Sequence, residues 1–310
     1  MKALVTGAAG FIGSSLCEAL IEKGFKVTGI DCFSPYYSTE LKRNNISILQ
    51  ENPEFDLIEE ELGNLDLRYI VEKMDYVFHL AAQPGVRKSI GKDFSNYAYH
   101  NIVVTQKLLD ACIDIPVKSF VYSSSSSIYG NALKFPTDEN TIPAPVSPYG
   151  ITKLAGEHLA MVYHKAFKIP SVVLRFFTVY GKRQRPDMAF KIIIDKMKKG
   201  ESIEIYGDGN QTRDFTYIDD VVSGILAASS GNASGEIFNI GGGSRYSLLG
   251  AIEIIRKVSG IDPKLVYKNG LEIDAKDTSA DITKAFNILG YKPRTTLKDG
   301  LQKMWNDLNC

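Results

Sequence analysis

A phenol and an ammonium four residues apart, Tyr149 and Lys153 in Tyr149-Gly150-Ile151-Thr152-Lys153, are the chain's best-placed groups for moving a proton. On a helix, positions i and i+4 share a face, so both can address one bound molecule. A free tyrosine with a pKa of about 10 is a poor base at neutral pH. A neighbouring ammonium favours the phenolate and brings it toward the working range. Such a pair is common on solvated helices and decides little alone. Upstream, however, Phe120-Val121-Tyr122 runs into five consecutive serines, Ser123 to Ser127. A serine there can share a hydrogen bond with both a substrate and Tyr149, although a serine run can equally be a plain polar loop.

The second chemical signal is Gly7-Ala8-Ala9-Gly10-Phe11-Ile12-Gly13, directly after an apolar run and opening a helical pattern. The first glycine permits a tight turn, the second lets backbone approach a pyrophosphate, and the third lets helix and strand pack closely. The helix N-terminus supplies N–H groups and partial positive charge to the phosphates. Asp31 closes the next apolar run, where a carboxylate accepts from a ribose 2′-hydroxyl and repels a 2′-phosphate. The residues after it, Cys32-Phe33-Ser34, include no arginine, so NAD is expected rather than NADP.

These groups need a scaffold, and the pattern supplies one. Strand-like runs at 3–6, 27–30, 75–80, 119–123 and 171–176 alternate with helical runs at 11–23, 102–113 and 149–167. Repeated βα units imply a Rossmann-type, doubly wound parallel sheet, an α/β fold. Beyond about residue 176, short strands at 203–206, 215–218 and 237–240 mix with helices at 189–199, 220–229, 248–258, 282–289 and 297–308. That change predicts a smaller α/β lobe across the strand ends. The expected division is 1–176 plus about 214–246 for the cofactor domain, and about 177–213 plus 247–310 for a substrate lobe.

In 310 residues, 36 Lys+Arg balance 36 Asp+Glu, which excludes a nucleic-acid binder acting through overall basicity and argues against a polybasic membrane anchor. Cys17, Cys32, Cys112 and Cys310 show no framework or metal-ligand spacing, so reduced thiols, no metal and a cytoplasmic location are expected. No apolar stretch approaches a membrane span or a signal peptide.

Together, the glycine motif, His79-Leu80-Ala81-Ala82, the Ser125 segment and Tyr149…Lys153 resemble the extended short-chain dehydrogenase/reductases that act on nucleotide sugars. Four further segments narrow this: Ala82-Gln83-Pro84-Gly85-Val86-Arg87, the 174–181 run Leu-Arg-Phe-Phe-Thr-Val-Tyr-Gly, Arg185-Pro186-Asp187-Met188-Ala189, and Arg213-Asp214-Phe215-Thr216-Tyr217-Ile218-Asp219-Asp220. They most resemble the UDP-glucuronic acid 4-epimerases, over nearly the whole chain.

The resemblance implies that Tyr149 is the general base and acid, that Lys153 orients the nicotinamide ribose and lowers the Tyr149 pKa, and that Ser125 holds the sugar O4. It implies cofactor contacts at Leu80, Ala81, Ala82, Gln83 and Phe176, with Lys42 and Asn101 as further candidates. Glu61, beside Leu62, stands where relatives often carry an aspartate near the adenine. For the nucleotide sugar it implies Arg213 on the phosphates, Tyr206 on the uracil, and Asp274 on the uridine ribose. Met188, Ala189, Phe190 and Gln211 would lie near the nucleotide. Gly85, Val86, Arg87, Ser126, Ser127, Thr178 and Arg185 would surround the sugar, its carboxylate or the nearby phosphates. Where relatives often have an arginine, this chain has Asp277, which leaves Arg213 more of the diphosphate.

The implied reaction inverts C4 of UDP-glucuronate through a transient 4-keto sugar. A dehydratase or decarboxylase using the same intermediate resembles it, but those relatives place carboxylates where this chain has Ser126 and Ser127. UDP-glucose 4-epimerases carry Asn at the Thr178 position and Ala-Thr at the Ser126–Ser127 pair. A silent NAD-binding regulator is a third reading, disfavoured by the intact Ser125, Tyr149 and Lys153. The resemblance also implies a homodimer built on a four-helix bundle. The helices at 102–113 and 149–167 are its expected contributors, with Val103, Leu108, Ala111, Leu154, Leu159 and Val162 offering apolar surface.

Overall fold

The run after Met1 forms β1 (Lys2–Thr6), four of whose five residues are buried, as a strand covered on both faces requires. It is followed by β2 (Lys26–Ile30), β3 (Phe55–Ile58), β4 (Tyr76–His79), β5 (Ser119–Ser125), β6 (Ser171–Phe176), β7 (Thr178–Tyr180), β8 (Ser202–Tyr206), β9 (Thr212–Tyr217), β10 (Ile237–Ile240), β11 (Arg245–Ser247) and β12 (Lys264–Lys268). The computed structural model describes residues 1–91, 93–269 and 275–307.

Seven strands make one sheet in the order β10-β6-β5-β4-β1-β2-β3, and each neighbouring pair is parallel. The chain leaves β3 and returns beside β1 as β4, so the order reverses between β1 and β4. Open α/β sheets bind ligands beyond the strand C-termini at such a switch. The strand residues alternate between two cores. Val5, Phe78, Val121 and Leu174 pack on one face; Leu4, Val77, Phe120 and Val173 pack on the other.

The later elements are smaller: a three-stranded sheet of order β11-β9-β7 and a parallel pair, β8 with β12. β10, also late in the chain, adds to the large sheet beside β6. Sequence periodicity missed β3, β7, β11 and β12, whose three to five residues are too short for a period to register. It also missed the helix Thr39–Gln50, whose N-cap is Ser38 accepting from Leu41 N.

Two helices carry the site. Pro148–Phe167 begins with Pro148 in its first turn and the Ser147 hydroxyl accepting from Gly150 N at 3.1 Å. That cap places Tyr149 and Lys153 within the helix's first two turns. The helix expected at 102–113 starts earlier, as Phe94–Ala98, then a π-helical turn at Tyr99–Val103, then Val104–Ala111. The widened turn holds Asn101 in the interior.

The expected apolar surface on these helices needs correction. Leu108 and Ala111 lie in the core, Leu154 and Leu159 are partly buried against it, and of the six only Val103 and Val162 stand exposed. Packing against the sheet and each other absorbs the rest. Among the described residues, no helix is long and apolar enough to cross a membrane.

Candidate active site

A cavity of about 420 Å³ opens at the C-terminal end of the large sheet. Its near wall is the turn after β1, where Gly7, Gly10, Phe11, Ile12 and Gly13 all line it. Gly13 permits this packing: a Cβ there would stand 2.0 Å from the Gly7 carbonyl oxygen. The helix Phe11–Glu22 has no acidic residue in its first turn, and Gly10 offers no side-chain cap. Its leading N–H groups therefore suit an anion.

Asp31, after β2, lines the same space, and its two carboxylate oxygens accept from Ala9 N at 3.0 Å and Phe33 N at 2.8 Å. Burial raises its pKa, and the nearby Lys42 ammonium opposes that rise. Each oxygen keeps lone-pair capacity for a ribose diol. Lys42 is itself buried, donates to the Ser34 carbonyl at 2.9 Å, and reaches the cavity wall. Glu61 and Leu62 close this end, with Glu61 3.4 Å from His100 Nδ1. Leu80, Ala81, Ala82, Gln83 and Phe176 continue the lining toward Tyr149. A glycine turn at a helix N-terminus, a buried acid on the second strand and this length of cleft fit a dinucleotide.

Asn101 does not line the cavity and acts as a brace behind it. Its side-chain oxygen accepts from Gln83 N at 2.7 Å, and its amide donates to the Gln83 carbonyl at 3.1 Å and to Thr152 at 2.9 Å. His79 supports the same wall. Burial lowers its pKa to about 3, so the ring is neutral. Thr105 donates to the Asn101 carbonyl and Ala81 N donates to Thr6. These bonds assign the ring proton to Nε2, facing Thr105 at 2.9 Å, with Nδ1 accepting from Thr6 at 2.8 Å. The bracing roles of Asn101 and His79 depend on partners distant in the chain, so local spacing does not show them.

Ser125, Tyr149 and Lys153 meet at the cavity centre. Ser125 lies at the end of β5 and shares a hydrogen bond with Ser127 at 3.1 Å. Burial raises the Tyr149 phenol, while the Arg185 charge and a hydrogen bond to Ser125 pull it down. Burial lowers Lys153 to about 7, against the pull of Glu157. Net, the Tyr149 phenol stands above its ordinary value, with Arg185 and Ser125 opposing the effect of burial. Lys153 Nζ stands 4.6 Å from the Tyr122 ring centroid, within reach of a cation–π attraction.

A second cavity of about 160 Å³ shares Val86, Ser126, Ser127 and Thr178 with the first and is lined by Arg213. The two cavities therefore adjoin along those four residues, with Arg213 on the wall of the smaller one. Gly85, Arg185 and Met188 line the first cavity. Arg213 Nη1 donates to the carbonyls of Thr212 at 2.9 Å and Lys276 at 3.0 Å. Asp277 serves as a strut, accepting from Thr212 N at 3.1 Å and from the Thr212 hydroxyl.

Other expected contacts fall elsewhere. Phe190 is buried in an aromatic cluster, 4.5 Å from Phe215 and 5.3 Å from Tyr180 between ring centroids, and Ala189 is exposed. Neither lines a cavity, because the helix Ala189–Lys199 turns its apolar face to the core. Tyr206, Gln211 and Arg87 cluster together and are not among the residues lining either cavity. The Arg87 guanidinium is 5.1 Å from the Tyr206 ring, and Gln211 donates to the Tyr206 carbonyl at 3.4 Å. Asp274 and Cys310 lie outside the described residues.

The chain matches the model of the NAD dependent epimerase/dehydratase family over residues 3–241. A UDP-glucuronic acid 4-epimerase from Bacillus cereus, solved with UDP-glucuronic acid and NAD, superimposes with a TM-score of 0.97 at 48% identity, covering 100% of this chain and 99% of that one. An uncharacterised UDP-glucose epimerase of Bacillus subtilis (strain 168) is 48% identical over 97% of this chain and 96% of its own. A UDP-glucuronate 4-epimerase of Thermodesulfobacterium geofontis (strain OPF15) is 37% identical over 98% of this chain and 94% of its own. A glycine turn, a Ser–Tyr–Lys centre and a match across most of the chain lead to one conclusion: the protein belongs to the NAD dependent epimerase/dehydratase family.

Proposed function

We propose that this protein is an NAD-dependent UDP-sugar 4-epimerase that interconverts UDP-glucuronate and UDP-galacturonate. The observation that carries the reading is the wall of hydroxyl donors, Ser126, Ser127 and Thr178, shared by the cavity of Tyr149 and that of Arg213, with no carboxylate among them. Bound NAD would take a hydride from sugar C4 and return it to the opposite face. The turn Gly7 to Gly13, Asp31 and the 80–83 wall would hold that cofactor. Tyr149 takes the O4 proton as the carbonyl forms and gives it back when C4 is reduced. Ser125 supports the same oxygen. Positioning then carries much of the rate.

A 4-keto uronate is a β-keto acid, prone to losing CO₂. Hydroxyl donors hold its carboxylate as an anion, each charge-assisted bond contributing roughly 1.5–3 kcal/mol. A carboxylate at either serine would instead repel it. The test is product NMR after incubating the enzyme, as purified, with UDP-glucuronate labelled at C6. Labelled UDP-galacturonate is expected. Labelled CO₂ and a UDP-pentose would make the protein a decarboxylase. Inertness beside brisk turnover of UDP-glucose would make it a neutral-sugar epimerase.

A homodimer belongs to the same reading, supported by Val103, Ile151 and Val162 standing 43%, 50% and 57% exposed on the two long helical segments. Light scattering at micromolar concentration should return twice the chain mass of 34.3 kDa. A monomer mass there would exclude the pairing. A reducing, cytoplasmic setting is supported by Cys17, Cys32 and Cys112 standing as free thiols.

A further inference from the structure

Arg185 lines the main cavity together with Tyr149 and Thr178, but it does not face the cavity alone. Two residues on, Asp187 takes it bidentately: Nε donates to Oδ1 at 2.9 Å and Nη2 to Oδ2 at 3.1 Å. Asp187 is not among the residues lining that cavity, and its side chain is 31% exposed. A third group completes the set. The Tyr36 hydroxyl, from the segment after β2, donates to Asp187 Oδ2 at 3.2 Å, and the Tyr36 ring lies 5.7 Å from the Arg185 guanidinium. The fold makes room for that tyrosine. Gly85 has φ +100, and a Cβ there would stand 2.2 Å from the Tyr36 oxygen.

Charge is arranged around the pair as well. Burial raises the Asp187 carboxyl, but the bonds from Arg185 and Tyr36 outweigh it and hold the group below its ordinary value, as an anion. Burial pushes the Tyr36 phenol up, and the Asp187 charge adds to that, so it stays a neutral donor. Of the five N–H donors on a guanidinium, two are committed to Asp187, which leaves three, two of them parallel at the Nη1–Nη2 end. A planar fork held this way recognises a carboxylate geometrically.

We infer that Asp187, held by Tyr36, is a positioning and specificity residue that orients Arg185 and partly offsets its charge, tuning how strongly the cavity prefers an anionic to a neutral sugar. A fully unmasked guanidinium would bind a uronate tightly in every step, including the release of product. A compensated one still selects the anion while letting it turn and leave. This rests on the proposed uronate substrate, with Arg185 acting on the ligand and Asp187 acting through Arg185.

The test compares Asp187→Asn and Asp187→Glu, each combined with Tyr149→Phe to stop turnover, by calorimetric titration with UDP-glucuronate and with UDP-glucose. Asp187→Asn should shift the ratio of the two dissociation constants about fivefold toward the uronate, and Asp187→Glu should restore it. Where a double variant does not fold, the ratio of KM values in the Tyr149 enzyme gives the same readout. Equal weakening of both ligands would reduce Asp187 to a structural strut and overturn the inference, as would a shift toward the neutral sugar. Failure of the unmodified enzyme to convert UDP-glucuronate at all would sink the functional reading instead, so the two failures are separable.

Discussion

Tyr149→Phe should fold like the unmodified protein and lose about two to four orders of magnitude in turnover, the usual cost of removing a general acid-base. The substitution deletes one oxygen and keeps the ring, whose edge-on contact with Tyr97 at 6.5 Å between centroids survives. Burial holds that phenol above its ordinary value, and Arg185 and Ser125 partly oppose the rise. No neighbouring group replaces it well. Lys153, already drawn to about 7 by burial, is displaced one helical turn and committed over Tyr122. Initial rates with the nucleotide sugar, set beside circular dichroism and thermal midpoint, decide the matter. A variant retaining more than about a tenth of the rate would remove Tyr149 from the base role.

The largest stability effect is expected about two turns beyond Tyr149 on the same helix. Glu157 and Arg175 form a bidentate ion pair, 2.5 Å and 3.1 Å, with side chains only 2% and 4% exposed. Ser124 donates to Glu157 at 2.9 Å, and Arg175 donates on to the Tyr129 hydroxyl at 2.7 Å and the Glu139 carbonyl at 3.1 Å. Tyr129 in turn donates to Asn239 on β10 at 2.8 Å. This network joins β5 beside Ser125, the Tyr149–Lys153 helix, β6 and β10. Arg175→Met strands an anion in a low-dielectric interior and should cost about 3–5 kcal/mol, with Glu157→Gln close behind. The double variant should cost less than the sum, because neither charge is then left alone. Urea denaturation of the three variants measures it. Losses under about 1 kcal/mol for both single variants would show that the pair does not hold these elements together.

Much of the candidate site was legible in the sequence because several of its groups are close together along the chain. Tyr149 and Lys153 are one helical turn apart, Ser125 ends a strand, and the three glycines fall within seven residues. Local spacing of this kind survives projection onto one dimension. The parallel sheet was legible too, since strands buried on both faces are written as apolar runs between helical ones. The side-chain directions of Phe190 and Ala189 were not legible: their motif is continuous, but the helix Ala189–Lys199 buries the phenylalanine and exposes the alanine.

What the sequence alone determined, then, is the chemistry available: a phenol beside an amine, hydroxyls at a strand end, a glycine turn and an acid to meet a dinucleotide. The tertiary structure decided the electrical state and the supports of those groups. Burial brings Lys153 to about 7 and raises Tyr149, a rise that Arg185, 36 residues further on, partly opposes. Asp187 and Tyr36, 151 positions apart, meet on that arginine, and Glu157 finds Arg175 on the neighbouring strand β6. No local pattern encodes such pairs. Desolvation and charge compensation depend on what surrounds a group in three dimensions, and that is settled only when distant segments close over the same few ångströms.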